Sequence, residues 1–242
     1  MSRIFSLRHA QPLALVALVG AALSVTLLPA PASAVRSKTW DLTKEFAAHR
    51  TENPVPDKFK DPAVWSWMYG EADTPSSYLL MESFFPPEIL KTECGVKRFF
   101  EWNRGPSLFS LPNVLYNAGR TVKEGQTQCA PFAEYPAKTF FMHPDNGSSL
   151  ASVVGWKSPI TGMVTVSGSV RPTDSNVEGI VWQLDQGSTI LLGPNEKADN
   201  TATNFGPTTV SVTAGESLYF EISRGLGGGS FDTTAVTLDI TA

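Results

Sequence analysis

From Gly162 onward, apolar and polar residues alternate along much of the chain with a period of two. In Gly162-Met163-Val164-Thr165-Val166-Ser167-Gly168, Val164 and Val166 share one face of an extended chain. The same spacing returns in Ile180, Trp182 and Leu184, in Val210 and Val212, in Leu218, Phe220 and Ile222, and in Val236, Leu238 and Ile240. Successive side chains of a strand point to opposite faces, so this pattern predicts half-buried antiparallel strands. Gln186-Gly187 and Ala214-Gly215-Glu216 carry turn chemistry and predict hairpins. After Ala137 no stretch long enough for a helix keeps a period of 3.6, which disfavours an α/β fold.

The first half is less regular and richer in proline and aromatic residues. Segments 40–46, 65–69, 78–85, 98–102 and 138–143 predict strands, and 86–91 a short helix begun by proline. Asn53-Pro54-Val55-Pro56-Asp57 reads as irregular connection. With no repeat and no low-complexity linker, the pattern predicts one domain. Its N-terminal strands complete the sheets that the C-terminal strands begin, in an all-β, antiparallel two-sheet β-sandwich.

Residues 1–34 follow a different rule. Arg3, Arg8 and His9 precede an uncharged apolar run over 13–28, and Ala32-Ser33-Ala34 fits a small-x-small cleavage site. A membrane anchor needs about 20 consecutive apolar residues, and Pro29 and Pro31 end this run early. The pattern predicts a cleaved signal peptide over 1–34, a secreted single domain over 35–242, and no membrane span after cleavage. Cleavage takes the 19 basic residues to 17 against 23 acidic ones, a net charge of −6. That balance disfavours nucleic acid as a partner, since phosphate backbones are held by a basic face.

Export also decides how the two cysteines read. Cys94 and Cys129 stand 35 positions apart, and outside the cytosol an even pair predicts a disulfide. Closing a loop of that length contributes about 3 to 4 kcal/mol in the chain-entropy picture. Two cysteines without a nearby His pair do not fill a tetrahedral zinc site.

Trp65, Trp67 and Tyr69 sit at i, i+2 and i+4, so in a strand their rings project from one face. Such a row, joined by Trp102, is a candidate surface for stacking against the C–H faces of a sugar. The competing reading places the same rings in the core, where Trp and Tyr commonly lie. His49 and His143 are the only histidines after residue 34, too few for a zinc site; no Gly-x-Ser-x-Gly elbow accompanies them there. His143, just before Pro144, reads as a surface or capping residue. Glu71, Asp73, Glu82, Glu93, Glu101 and Glu134 lie in the aromatic-rich half, where hydrolysis of a glycoside would need two carboxyls about 5 to 9.5 Å apart. Segment 225–230, with Gly227-Gly228-Gly229, lacks the Lys-Ser/Thr of a phosphate loop and reads as a strand connection at a rim.

From Phe141-Met142-His143-Pro144 the order of features resembles a module of bacterial exported proteins, the galactose-binding-like jelly rolls that include many carbohydrate-binding modules. The resemblance runs through Val154-Gly155-Trp156-Lys157-Ser158-Pro159 and Thr213-Ala214-Gly215-Glu216-Ser217-Leu218-Tyr219-Phe220 to Phe231-Asp232-Thr233-Thr234-Ala235-Val236, with Trp67-Met68-Tyr69-Gly70 upstream. It covers about the last hundred residues well and the first hundred loosely. It implies a jelly roll and non-catalytic binding of a glycan or cell-surface polymer. It also implies a structural calcium held by Asp232 at the start of the final strand and an acid near the first, for which Asp41 is the candidate. The alternatives are a structural or protein-interaction domain of the cell envelope and a secreted polysaccharide hydrolase.

Overall fold

The computed structural model describes residues 37–129 and 131–242, so the predicted export segment lies outside the described residues. Strands β1 (Thr39–Asp41), β2 (Trp65–Glu71), β3 (Leu79–Leu80), β4 (Ser83–Phe85), β5 (Phe99–Asn103), β6 (Asn113–Asn117) and β7 (Thr139–His143) form the first part. Helix α1 (Leu42–His49) follows β1, and α2 (Pro87–Cys94) follows β4. Then come β8 (Leu150–Lys157), β9 (Gly162–Pro172), β10 (Ile180–Gln186), β11 (Thr189–Lys197), β12 (Thr203–Val212), β13 (Ser217–Arg224) and β14 (Thr234–Thr241).

The strands make two antiparallel sheets, as the alternation predicts. One has eight strands in the order β12-β9-β14-β7-β6-β5-β4, with β1 also on β14; the other has six, β11-β10-β13-β8-β2-β3. From β7 onward the chain steps between sheets, and β12-β9-β14-β7 facing β11-β10-β13-β8 is the strand order of an eight-stranded jelly roll. The earlier strands lengthen both sheets at one side. The two ends of the described unit meet on β14: Lys38 N donates to Ala242 O at 3.1 Å, and Ala242 N to Lys38 O at 2.9 Å.

Between the sheets lies an aromatic core. Phe46 sits 4.8 Å from Trp67 and 5.1 Å from Phe140 by ring centroids, and Trp40 sits 5.3 Å from Trp156. Trp40 Nε1 donates to Asp57 Oδ2 at 2.6 Å, so its polar edge is satisfied inside the core.

Three expectations are corrected. Segment 40–46 is mostly helix: Asp41 caps α1 by accepting from Lys44 N at 3.0 Å, and Leu42, Glu45 and Phe46 give the helix one buried face. The turn at Ala214-Gly215-Glu216 does not close a hairpin, because β12 and β13 belong to different sheets. Segment 78–85 divides into β3 and β4, again in different sheets. Three strands escaped the alternation: β8, β11 and β6, of which β6, Asn113-Val114-Leu115-Tyr116-Asn117, is buried at all five positions because both of its faces are covered.

The expected disulfide joins Cys94 to Cys129 with Cα atoms 5.1 Å apart. It ties the end of α2 to a segment that covers the outer face of the eight-stranded sheet. Beneath that cover lies a second apolar cluster containing Leu90, Phe99, Leu115, Tyr135 and Phe141.

Candidate functional site

Trp65, Trp67 and Tyr69 do share one face of β2, but that face looks inward. Both tryptophans are 0% exposed and Tyr69 packs, half-buried, against the same core. Trp102 is 8% exposed, with Nε1 donating to Arg50 O at 2.8 Å and its ring 5.2 Å from Phe84. These four residues therefore do not offer a sugar an open stacking surface. The period-two pattern identified the shared face; burial between two sheets decided what that face meets.

The expected calcium pair is likewise corrected. Asp41 lies opposite Asp239 in the β1–β14 ladder and is engaged by Lys44 Nζ at 2.8 Å. Asp232 precedes β14, seven residues before Asp239, which along a strand is roughly 23 Å. The two carboxylates do not meet. Asp232 accepts from Gly179 N at 3.1 Å, and burial pushes its carboxyl up to about 7.

A cleft of about 280 Å³ opens on the outer face of the eight-stranded sheet. This is at the small end of ligand sites, about 300 to 1,000 Å³. Phe109, Phe132 and Phe231 stand in its wall, and Asn113, His143 and Asp174 supply polar groups. Phe132 is 44% exposed and meets Phe231 edge to face at 5.1 Å. Ser230 and Phe231 come from the connection before β14, so the glycine-rich segment does end at a rim.

One wall is held by a buried carboxyl and another by backbone pairing. Phe109 lies in the β5–β6 loop with left-handed backbone, φ 54°, and its N–H donates to Glu101 Oε1 at 2.8 Å. Asn103 Nδ2 also donates to Glu101 Oε1, at 2.8 Å, and reaches Ser107 O at 2.9 Å, which shapes the same loop. Phe132 belongs to a segment laid beside 173–175: Glu134 N donates to Thr173 O at 2.9 Å, and Ser175 N to Phe132 O at 2.8 Å. The disulfide anchors that segment from its other side.

The polar groups of the cleft are acceptors. His143 Nδ1 lies 2.7 Å from Pro144 O, a bond that places the ring proton on Nδ1 and leaves Nε2 with a lone pair. Burial lowers the imidazole to about 4, so it is neutral at pH 7. Asp174 Oδ2 accepts from Thr233 N at 2.6 Å, and burial raises the carboxyl to about 6. Asn113 Nδ2 donates to Glu101 Oε1 at 3.2 Å, while Asn113 Oδ1 has no hydrogen-bond partner among the described residues. Burial pushes Glu101 up to about 7 despite the donors on Oε1, and its Oε2 is also unpartnered. Those two oxygens are sealed from the cleft; His143 and Asp174 can receive hydroxyl donors next to flat apolar rings.

Sequence reasoning treated His143 as a surface or capping residue, and left out Phe109, Asn113, Phe132 and Asp174. They lie in loops or in a strand without alternation, where no periodic signal marks them. A larger groove of about 620 Å³, lined by Lys97, Arg98, Arg120 and Lys138, opens at the other end of β5 and β6.

No protein-family model matches the chain, and the search of curated proteins finds no match. Solved structures with partial likeness include one described as CBM51-2 in complex with GlcNAc, with INT domains, from Clostridium perfringens ZmpB. It is 13% identical over 43% of this chain and 22% of that one, with a TM-score of 0.31. A GH26-CBM35 β-(1,4)-mannanase from Podospora anserina is 13% identical over 41% of this chain and 21% of that one, at 0.27. CBM35 from Paenibacillus barcinonensis is 10% identical over 64% of this chain and 98% of that one, at 0.23. This chain thus spans about a fifth of the first two. Likenesses at these scores carry no inference about what this chain binds.

Proposed function

We propose that this chain is an exported, non-catalytic binding protein that seats one ring of a glycan in the cleft bounded by Phe109, Phe132 and Phe231. The observation that carries this reading is the pairing of three phenylalanine rings with His143 and Asp174, whose free valences are acceptors. A sugar ring offers apolar C–H faces and several O–H donors, which is the complement of that lining. The lining holds one carboxylate, Asp174, whereas paired-carboxylate hydrolysis uses two.

Glycan-array screening followed by titration calorimetry on the intact protein tests the reading. Phe132→Ala and His143→Ala should each weaken binding about tenfold, the scale of a lost aromatic contact or hydrogen bond. Binding that both variants retain in full would remove the ligand from this cleft. The burial of Trp65 and Trp67 supports a second reading, a structural or protein-interaction domain of the cell envelope. Failure of the intact protein to bind any glycan, together with capture of an envelope protein, would favour it.

A further inference from the structure

The outer face of the six-stranded sheet carries charge where the opposite face carries rings. Asp185 on β10 and Glu221 on β13 point away from the core, yet they are 2% and 1% exposed. Segment 71–78 covers them and brings Asp73 and Tyr78 onto the same spot. Gly70 makes that approach possible, since a Cβ there would lie 2.6 Å from Tyr78 Cδ1 and 2.9 Å from Ser77 O.

The donors around the two buried carboxylates can be followed atom by atom. Tyr78 OH donates to Glu221 Oε1, and Asp73 N donates to Glu221 Oε2 at 3.2 Å. Gln183 Nε2 donates to Asp185 Oδ2 at 2.7 Å. Asp185 Oδ1 has no hydrogen-bond partner among the described residues. Among the described residues, the ion pairs found involve neither carboxylate. Burial, and then the neighbouring Asp185, pushes Glu221 upward, as expected for two acids sharing one dry site. Buried carboxylates without a counter-charge are costly, and a bound cation relieves that cost.

We infer that Asp73, Asp185 and Glu221 form a calcium site on the outer face of the six-stranded sheet. One carboxylate oxygen from each lies within 4.8 Å of the others, so a common centre is no more than about 2.8 Å from all three. A closure of a few tenths of an ångström reaches the Ca–O range of about 2.3 to 2.6 Å. The donor set is all oxygen, which suits a hard cation and not zinc. Asp73 is exposed, and that side leaves room for the waters that complete six to eight ligands. Three protein carboxylates without a dedicated loop place the affinity with extracellular modules, at about 10⁻⁴ to 10⁻³ M.

The test uses the intact protein stripped with chelator, then titrated with calcium or magnesium at constant ionic strength while calorimetry and thermal unfolding are followed. Calcium should bind in the range above and raise the unfolding midpoint by several degrees, with a weaker response to magnesium. Asp73→Asn, at an exposed position, should fold normally and weaken calcium at least tenfold. Asp185→Asn should abolish the response without loss of stability in chelator, because it removes an unpaired buried charge. No calcium response up to 10 mM, an equal response to magnesium, or an undiminished response in both variants would overturn the site. His143→Ala should keep the full calcium response, which separates this site from the proposed glycan cleft.

Discussion

Strands β7 to β14 and the hundred residues before them are built differently. In β14 buried positions recur every second residue, and the eight strands from β7 close a jelly roll by themselves. Ahead of them, β6 is buried throughout, α1 and α2 interrupt the strands, and long irregular segments wrap the outer faces of both sheets. The candidate sites lie along the seam. The cleft joins Phe109, Asn113 and Phe132 of the first part to His143, Asp174 and Phe231 of the second. The acidic cluster joins Asp73 to Asp185 and Glu221. A repeating sandwich supplies rigid strands, and the irregular cover supplies groups that regular alternation would leave in water.

If the cover were an appendage, damage to it would spare the jelly roll. Trp67→Ala should instead cost about 3 to 5 kcal/mol in urea denaturation, the usual range for a buried aromatic cut to alanine. A loss under about 1 kcal/mol would show that the two parts are separable. Replacing both Cys94 and Cys129 by serine should cost about 3 to 4 kcal/mol. It should also raise amide exchange in segment 119–136 before exchange in β9 or β14. Uniform loss of protection would mean that the disulfide supports the whole sandwich and not the cover.

Glu101 tests the seam through pH. Its folded value of about 7 lies above the ordinary 4.5, so the folded state keeps this proton longer than the unfolded chain does. Stability from this group is therefore greatest below pH 4.5, falls as pH rises to about 7, and then levels. Glu101→Gln should remove that slope, so its stability relative to the native chain should climb across the window by up to about 3 kcal/mol. A flat difference from pH 4.5 to 7 would show that Glu101 ionises as freely as in the unfolded chain. The smallest effect belongs to Asp41→Ala, which removes the cap of α1 for about 1 kcal/mol and should leave calcium binding unchanged.

Strands β9, β10, β12, β13 and β14 were legible because one face of each meets the core at every second residue; β8, buried at six consecutive positions, and β11, mostly exposed, gave no such period. Val164 with Val166, and Leu218 with Phe220, announce their face in two residues. Trp65 and Trp67 announced a face too, but a row of rings has the same spacing whether a sheet or a sugar lies above it. The cleft was hidden for a related reason. Phe109 is set by a hydrogen bond to Glu101, eight residues away in sequence, and Phe132 by bonds to a segment some forty residues distant. Neither relation leaves a local period. The cysteines were readable because an expected export narrows what a pair of thiols can become.

The pairing of Lys38 with Ala242 sets how the molecule answers to force. Tension drawn between these two residues pulls β1 away from β14 at their shared extremity, so the ladder opens one rung at a time instead of shearing as a block. β1 is then the first rung to give way under load.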